Sequence, residues 1–447
     1  MKNRRLLFGT ILIGVLLAAN ANAQQSLDQM IDRALPSLLE TYKMLHANPE
    51  LSHHEAKTAA LVAKELKSLG YDVTEQVGKY DNPQWTSYGV VGVLRNGKGP
   101  TVLVRTELDA LPVEEKTGLP YASKAKQIND AGKEVCVMHA CGHDVHITSL
   151  LGVARMLMRL KDQWGGTLML VAQPAEETID GAHAMISGGL YAKFARPDVV
   201  LAQHDWSTLA TGKIAYCPGY AMASATSLNV TIRGMGGHGS APESTKDPVM
   251  AAAQFIVALQ TIVSRENSPL DPAVVTVGSI HGGTRPNIIP DEVELQLTVR
   301  AYREEVRKMI LASIERIAKN VALAAGIPED RAPIVKVVEY TPATYNDPAL
   351  TQRVVDVLEK VVGAENVVQE PSRMGSEDFC CFGLEGKQIP ICMFFLGAVD
   401  PAKVAESKET GVALPSLHSS LFAPLPEPTI RMGVKGMTSV VLDLMKK

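Results

Sequence analysis

Between residues 227 and 340 the apolar patterning spells strand (227–233), helix (248–264), strand (274–280), strand (292–299), helix (304–325) and strand (334–340). Few folds accept that order: β-α-β-β-α-β is the ferredoxin-like sandwich, a self-contained unit. Before it come short apolar strands at 89–94, 102–105, 167–172 and 199–203, with helices at 55–70 and 145–160. After it come a helix at 348–362, a strand around 391–395 and a closing helix at 429–445. Strands alternating with helices predict an α/β sheet covered on both faces. The expected architecture is a mixed-sheet α/β domain assembled from residues 24–222 and 341–447, with a smaller lid or dimerisation domain, 223–340, inserted between its halves.

A chain of 447 residues is too long for one compact core, which agrees with two domains. Its net charge of −4 and lack of any basic block exclude nucleic acid as the expected partner. Residues 1–23 read differently from the rest: Lys2, Arg4 and Arg5 precede an apolar run over 6–19, and Ala21-Asn22-Ala23 supplies a small-residue cleavage pattern. A secretory signal peptide is expected, hence an exported protein, periplasmic or secreted, that leaves the membrane once the signal is cut. No other stretch reads as long and apolar enough to span a bilayer. The six cysteines permit a bridge involving Cys136 or Cys217 in an oxidising compartment, although a chain of this size needs no staples.

Residues 138–146, MHACGHDVH, gather four histidines and cysteines into a short stretch, and the adjacent acids Glu176 and Glu177 follow some thirty residues later. In extended backbone, side chains two apart share a face, so His139, Cys141 and His143 are expected to converge, with two or three of them binding a metal. Thiolate and imidazole together suit zinc and other borderline divalent ions. The plainer alternative makes Cys141 a small buried hydrophobe and the histidines loop residues. Asp109, Glu176, Glu177 and His204 follow strands and are expected at the carboxyl ends, where open α/β sheets bind ligands. Asp144 is the expected N-cap of the helix that follows. Consecutive side chains diverge in extended backbone, so Glu176 and Glu177 are expected to take separate roles.

Seven ordered motifs, RTELDALP (105–112), HACGHD (139–144), QPAEE (173–177), GGHGSAP (236–242), GTRPNIIPD (283–291), MGSEDF (374–379) and LHS (417–419), preceded by LHANPEL (45–51), resemble those of the N-acyl-amino-acid amidohydrolases. That branch includes hippurate and auxin-conjugate hydrolases and belongs to the aminoacylase and carboxypeptidase metallopeptidases. The resemblance implies that Cys141, His143, Glu177, His204 and His418 hold two divalent ions (zinc, manganese, cobalt or nickel), with the Cys141 thiolate bridging them. It further implies that Glu176 is the general base and acid and that Asp109 orients a ligand. His238 would approach the scissile carbonyl, and Arg285 with Asn287 would grip a substrate carboxylate. Glu107 departs from the family, where aspartate is common. Glu377 and Asp378 either support the site from behind or cap a helix, and His46, His53, His54, His146, His183 and His281 are read as structural.

Amide hydrolysis of small N-acyl amino acids or short peptides by a metal-activated water is therefore the leading expectation, with a homodimer through an exposed edge of the inserted sheet. A metallo-dipeptidase or carboxypeptidase is the variant within that class. Outside it stand a cysteine hydrolase using Cys141 and a non-catalytic metal or ligand-binding protein.

Overall fold

A computed structural model describes residues 26–384 and 388–447. The expected signal peptide lies outside the described residues.

The main sheet has eight strands in the order Asp72–Thr74, Val90–Asn96, Gly166–Gln173, Thr101–Glu107, Val199–Ala210, Ile391–Val399, Ile214–Tyr216 and Val367–Gln369. Its four central strands run parallel, and antiparallel pairing to Val90–Asn96 on one side and Ile214–Tyr216 on the other makes it mixed. Alternation along each strand divides the core: Val102 and Val104 face one layer, while Leu103 faces the other. Five long helices, Leu27–Ala47, Ala56–Ser68, His143–Arg159, Pro348–Val362 and Pro426–Leu444, cover the first face. Only short pieces such as Gly181–Ser187 and Asp378–Gly383 cover the second.

Local chemistry sets where several helices begin. Asp247, Asp347 and Asp400 each accept a backbone N–H from the first turn of the helix that follows, and a proline occupies that helix's first position. Helix Leu27–Ala47, absent from the sequence reading, starts with a reciprocal cap between Ser26 and Gln29. The expected cap at Asp144 is a correction. Gly142, at φ +77°, caps His143–Arg159, and Asp144 lies inside the first turn, where its carboxylate is engaged by His46 at 2.7 Å.

Strands Ala273–His281, Glu292–Ala301, Ser224–Arg233 and Ile334–Thr341 form a second, wholly antiparallel sheet in that order, with its own core against helices Pro248–Thr261 and Glu304–Ala324. The chain passes between the sheets through Gly219–Met222 and Thr344–Asn346, which pair with each other. One expectation fails here. The segment Pro248–Glu266 is long and apolar enough, by length and composition, to cross a membrane, with a mean hydropathy of 1.3. Its apolarity serves a packed core on one side, where Ala251, Ala252, Phe255, Leu259 and Ile262 are buried, while Val249, Met250 and Val257 remain exposed on the other.

Candidate metal centre

Parallel strands bring their carboxyl ends to one side of the sheet, and the candidate ligands collect there. Cys141 and His143 enter at the N-terminus of His143–Arg159, and Glu177 follows Gly166–Gln173 in a turn closed by the Ile179 N–H to the Glu176 carbonyl. His204 lies within its strand, not after it. Val199–Ala210 runs on past its last pairing with Thr101–Glu107, at Ala202, while still paired to Ile391–Val399 on its other side, where His204 lies opposite Phe395. His418 comes from a far loop at φ +67°, its N–H donating to the Ala140 carbonyl at 2.8 Å.

These five residues form two triads that share one sulfur: Cys141, His143 and His204, and Cys141, Glu177 and His418, each with donor atoms within 4.8 Å of one another. Cys141 Sγ is 3.5 Å from His204 Nε2 and 3.3 Å from His418 Nε2, and the latter is 3.5 Å from Glu177 Oε2. Two imidazoles are oriented from behind. His143 Nδ1 donates to the Asp109 carbonyl at 2.8 Å and His204 Nδ1 to the Asp205 carbonyl at 2.6 Å, which turns each Nε2 into the site. His143 Nε2 and Glu177 Oε1 are buried without a hydrogen-bond partner. A divalent ion would satisfy both, and the sulfur, nitrogen and oxygen donor set suits a borderline metal.

Electrostatics point the same way. Burial, with Glu177 and Glu176 close by, pushes the Cys141 thiol well above its ordinary range. A nucleophilic cysteine needs the opposite shift, whereas coordination to a metal ion deprotonates a thiol outright. That disfavours the cysteine-hydrolase reading. Glu177 is pushed up to about 7 by burial and by Asp109, against the lowering influence of His143. The site therefore concentrates acidic groups whose ionised forms bound cations would favour.

Glu176 lies beside the triads, its Oε2 3.8 Å from His143 Nε2. Burial and the neighbouring Glu377, Glu177 and Asp378 raise its pKa well above the ordinary carboxylate range, with Arg105 opposing. The two acids sit in a turn rather than in extended backbone, so the expected divergence does not arise as reasoned. Both approach His143, and they differ in their remaining neighbours: Glu177 reaches His418. Asp109 Oδ2 accepts from Ser52 Oγ and from the Glu177 N–H, so this side chain steadies the turn while its carbonyl orients His143.

Beneath the centre runs a buried polar network that the sequence reading left largely unassigned. Arg105 donates to Glu107, Glu377, Asp378 and Gln173, and Gln173 donates in turn to Asp378. Glu377 takes both roles considered for it, since its Oε1 also accepts the Phe379 N–H at the start of Asp378–Gly383. Glu107 Oε2 contacts His146 Nδ1 at 2.9 Å, and the Asp205 N–H donates to His146 Nε2 at 2.8 Å. The signal for His146 was available: three residues after His143 on a helix, it shares that residue's face.

Four expected residues lie elsewhere. His139 is buried with neither ring nitrogen partnered and belongs to neither of these triads, because the backbone already turns at Ala140–Cys141, where the Ala140 N–H donates to the Met138 carbonyl, instead of continuing extended. His238, Arg285 and Asn287 are exposed on a small ribbon in which Gly237–His238 pairs with Ile288–Ile289. No described hydrogen bond or ion pair joins them to the triads. The six cysteines are all free, including Cys136 and Cys217.

Residues 103–418 match the peptidase family M20/M25/M40. The hippurate hydrolase of Campylobacter jejuni is 41% identical over 340 residues, covering 76% of this chain and 82% of that protein. Thermostable carboxypeptidase 2 of Saccharolobus solfataricus is 35% identical over 399 residues, 89% of this chain and 92% of that one. Among solved structures, a dinuclear metal-binding peptidase of the M20 family from Bacillus subtilis superposes with a TM-score of 0.73 at 25% identity, covering 94% of this chain and 99% of that one. The chain belongs to the peptidase family M20/M25/M40 and is a metal-dependent hydrolase of amide bonds.

Proposed function

We propose that the protein is an exported amidohydrolase that cleaves N-acyl amino acids, holding two divalent ions on Cys141, His143, Glu177, His204 and His418. The observation that carries this reading is the pair of triads sharing Cys141 Sγ with Glu176 at their edge. When bound, the ions supply the positive charge that acidifies a water and polarises the amide carbonyl. Glu176 takes a proton from that water and hands it to the departing amine, work suited to a carboxyl whose pKa is raised by burial. Asp109 keeps His143 turned inward and the Glu177 amide in place. Closure of the inserted domain brings His238 to the developing oxyanion, and brings Arg285 and Asn287 to the substrate carboxylate, for which a guanidinium offers a two-pronged fit. The inserted sheet has an exposed edge strand, Ala273–His281, through which a homodimer would form.

Carboxypeptidase action on short peptides is the second reading, supported by the relative of that name. A screen of hippurate, N-acetyl and long-chain acyl amino acids and dipeptides, with zinc, manganese, cobalt or nickel restored, separates the two. Turnover of acyl amino acids at least about tenfold above dipeptides is expected. Preference for dipeptides would install the second reading, and no turnover at all would leave a binding protein.

A further inference from the structure

The loop carrying Glu176 and Glu177 is held at both ends by one short segment of the chain more than a hundred residues away. At the leading end, Ala175 sits at φ +49°, and its N–H donates to Glu55 Oε1 at 2.7 Å. At the trailing end, Ile179 sits at φ +54°, and its neighbour Asp180 meets His53 Nε2 at 3.1 Å. Non-glycine residues adopt this left-handed backbone only at a cost, and persist there where surroundings over-determine them. Here the surroundings are specific. Glu55 is fully buried and its Oε1 accepts the His53 N–H as well, so the two braces are tied to each other.

His53 is itself strained, at φ +65°, and both of its ring nitrogens face carboxylates. Nδ1 is 2.9 Å from Asp130 Oδ2, in the turn of the hairpin Lys126–Ile128/Glu134–Cys136, and Nε2 contacts both oxygens of Asp180. The ring stacks on Trp85 at 3.8 Å and meets the Tyr80 ring edge-on. Carboxylates accept and do not donate, so both nitrogens donate and the ring is an imidazolium. Three loops from separate parts of the sequence thus converge on one cation, and one of them is the loop with the acids of the metal centre.

We propose that His53 and Glu55 are positioning residues that clamp the two ends of the 174–181 loop and thereby aim Glu176 and Glu177. The clamp touches no reacting atom; it acts through Asp180 and the Ala175 amide. The inference rests on the proposed role of Glu176, and the test separates the two.

Asp180→Asn removes the charge at the trailing end without disturbing the core, since Asp180 is about one-third exposed. His53→Gln removes the cation, and His54→Gln, which alters only the exposed contact to the far oxygen of Asp130, is the control. Two readouts are taken on the metal-loaded protein: amide hydrogen exchange across 175–181, which needs no turnover, and hippurate hydrolysis resolved into kcat and KM, with Glu176→Gln in parallel. Faster exchange in that loop is expected for Asp180→Asn and His53→Gln, with kcat down about ten- to a hundredfold, KM within about twofold and the thermal midpoint nearly unchanged. Wild-type exchange and kcat in both variants would overturn the clamp, as would an equal loss in His54→Gln or a loss that follows the thermal midpoint. If Glu176→Gln keeps full turnover while loop exchange still rises in the variants, the catalytic reading fails and the clamp stands.

Discussion

Cys141 and Glu176 divide the chemistry of the centre between them. Burial and adjacent carboxylates raise the thiol, and bound cations would deprotonate it, which is what the proposed bridging part asks of it. Glu176 is likewise raised well above the ordinary carboxylate range, by burial and by Glu377, Glu177 and Asp378, the direction that suits the proposed general base. Glu176→Gln should therefore retain its metal, measured by atomic spectroscopy, while kcat falls about 10²- to 10⁴-fold; unchanged turnover would remove Glu176 from the mechanism. At this scale the sequence was informative wherever residue type alone limits the chemistry. Residue type pointed to Cys141, His143, Glu177 and His204 as candidate ligands, and the ordered motifs, through the family they resemble, completed the set with His418. It could not find His53, Glu55 or Asp205, whose parts depend on what lies across the fold.

The element that does most to shape the site is the N-terminus of helix His143–Arg159. Gly142 ends the preceding stretch at φ +77°, and a Cβ there would lie 2.3 Å from Asp205 Oδ2. The missing side chain lets the Asp205 carboxylate pack against the backbone beside Cys141 and His143, the candidate ligands. Gly142→Ala should cost roughly 2–4 kcal/mol in chemical denaturation, from left-handed strain plus the clash, and should lower metal content as well. Wild-type stability and metal content in that variant would show that the close approach is not needed. The same turn explains why a period-two reading of His139, Cys141 and His143 was wrong for His139. The chain turns at Ala140–Cys141, so extended geometry does not reach from His139 to Cys141, and from His143 the helical period takes over and sets His146, not His139, beside the cluster. Helix Pro248–Thr261 reads as part of the inserted unit, where it packs, although its segment is apolar enough to pass for a span, since composition does not distinguish an apolar helix that covers a small sheet from one that crosses a bilayer.

Across the whole molecule, the metal centre draws on segments 109, 141–143, 176–177, 204 and 418, so bound ions should staple together parts of the chain that otherwise meet through packing alone. Chelation is expected to lower the thermal midpoint, and restoring metal at a thousandfold excess over Kd should return about 4 kcal/mol, read by calorimetry. A midpoint indifferent to metal would mean that the ligands are not brought together by folding. By itself the sequence determined the alternation of strands and helices, the β-α-β-β-α-β insertion, the donor chemistry and the end of the sheet at which it gathers, because these follow from periodicity, residue type and strand direction. Only the tertiary structure decided which imidazoles turn inward, which carboxylates are raised, and how Glu55 and His53 hold the acidic loop. Those outcomes depend on distances of about 3 Å between residues as far as 277 positions apart in the chain, as between Cys141 and His418, and no local pattern carries such information.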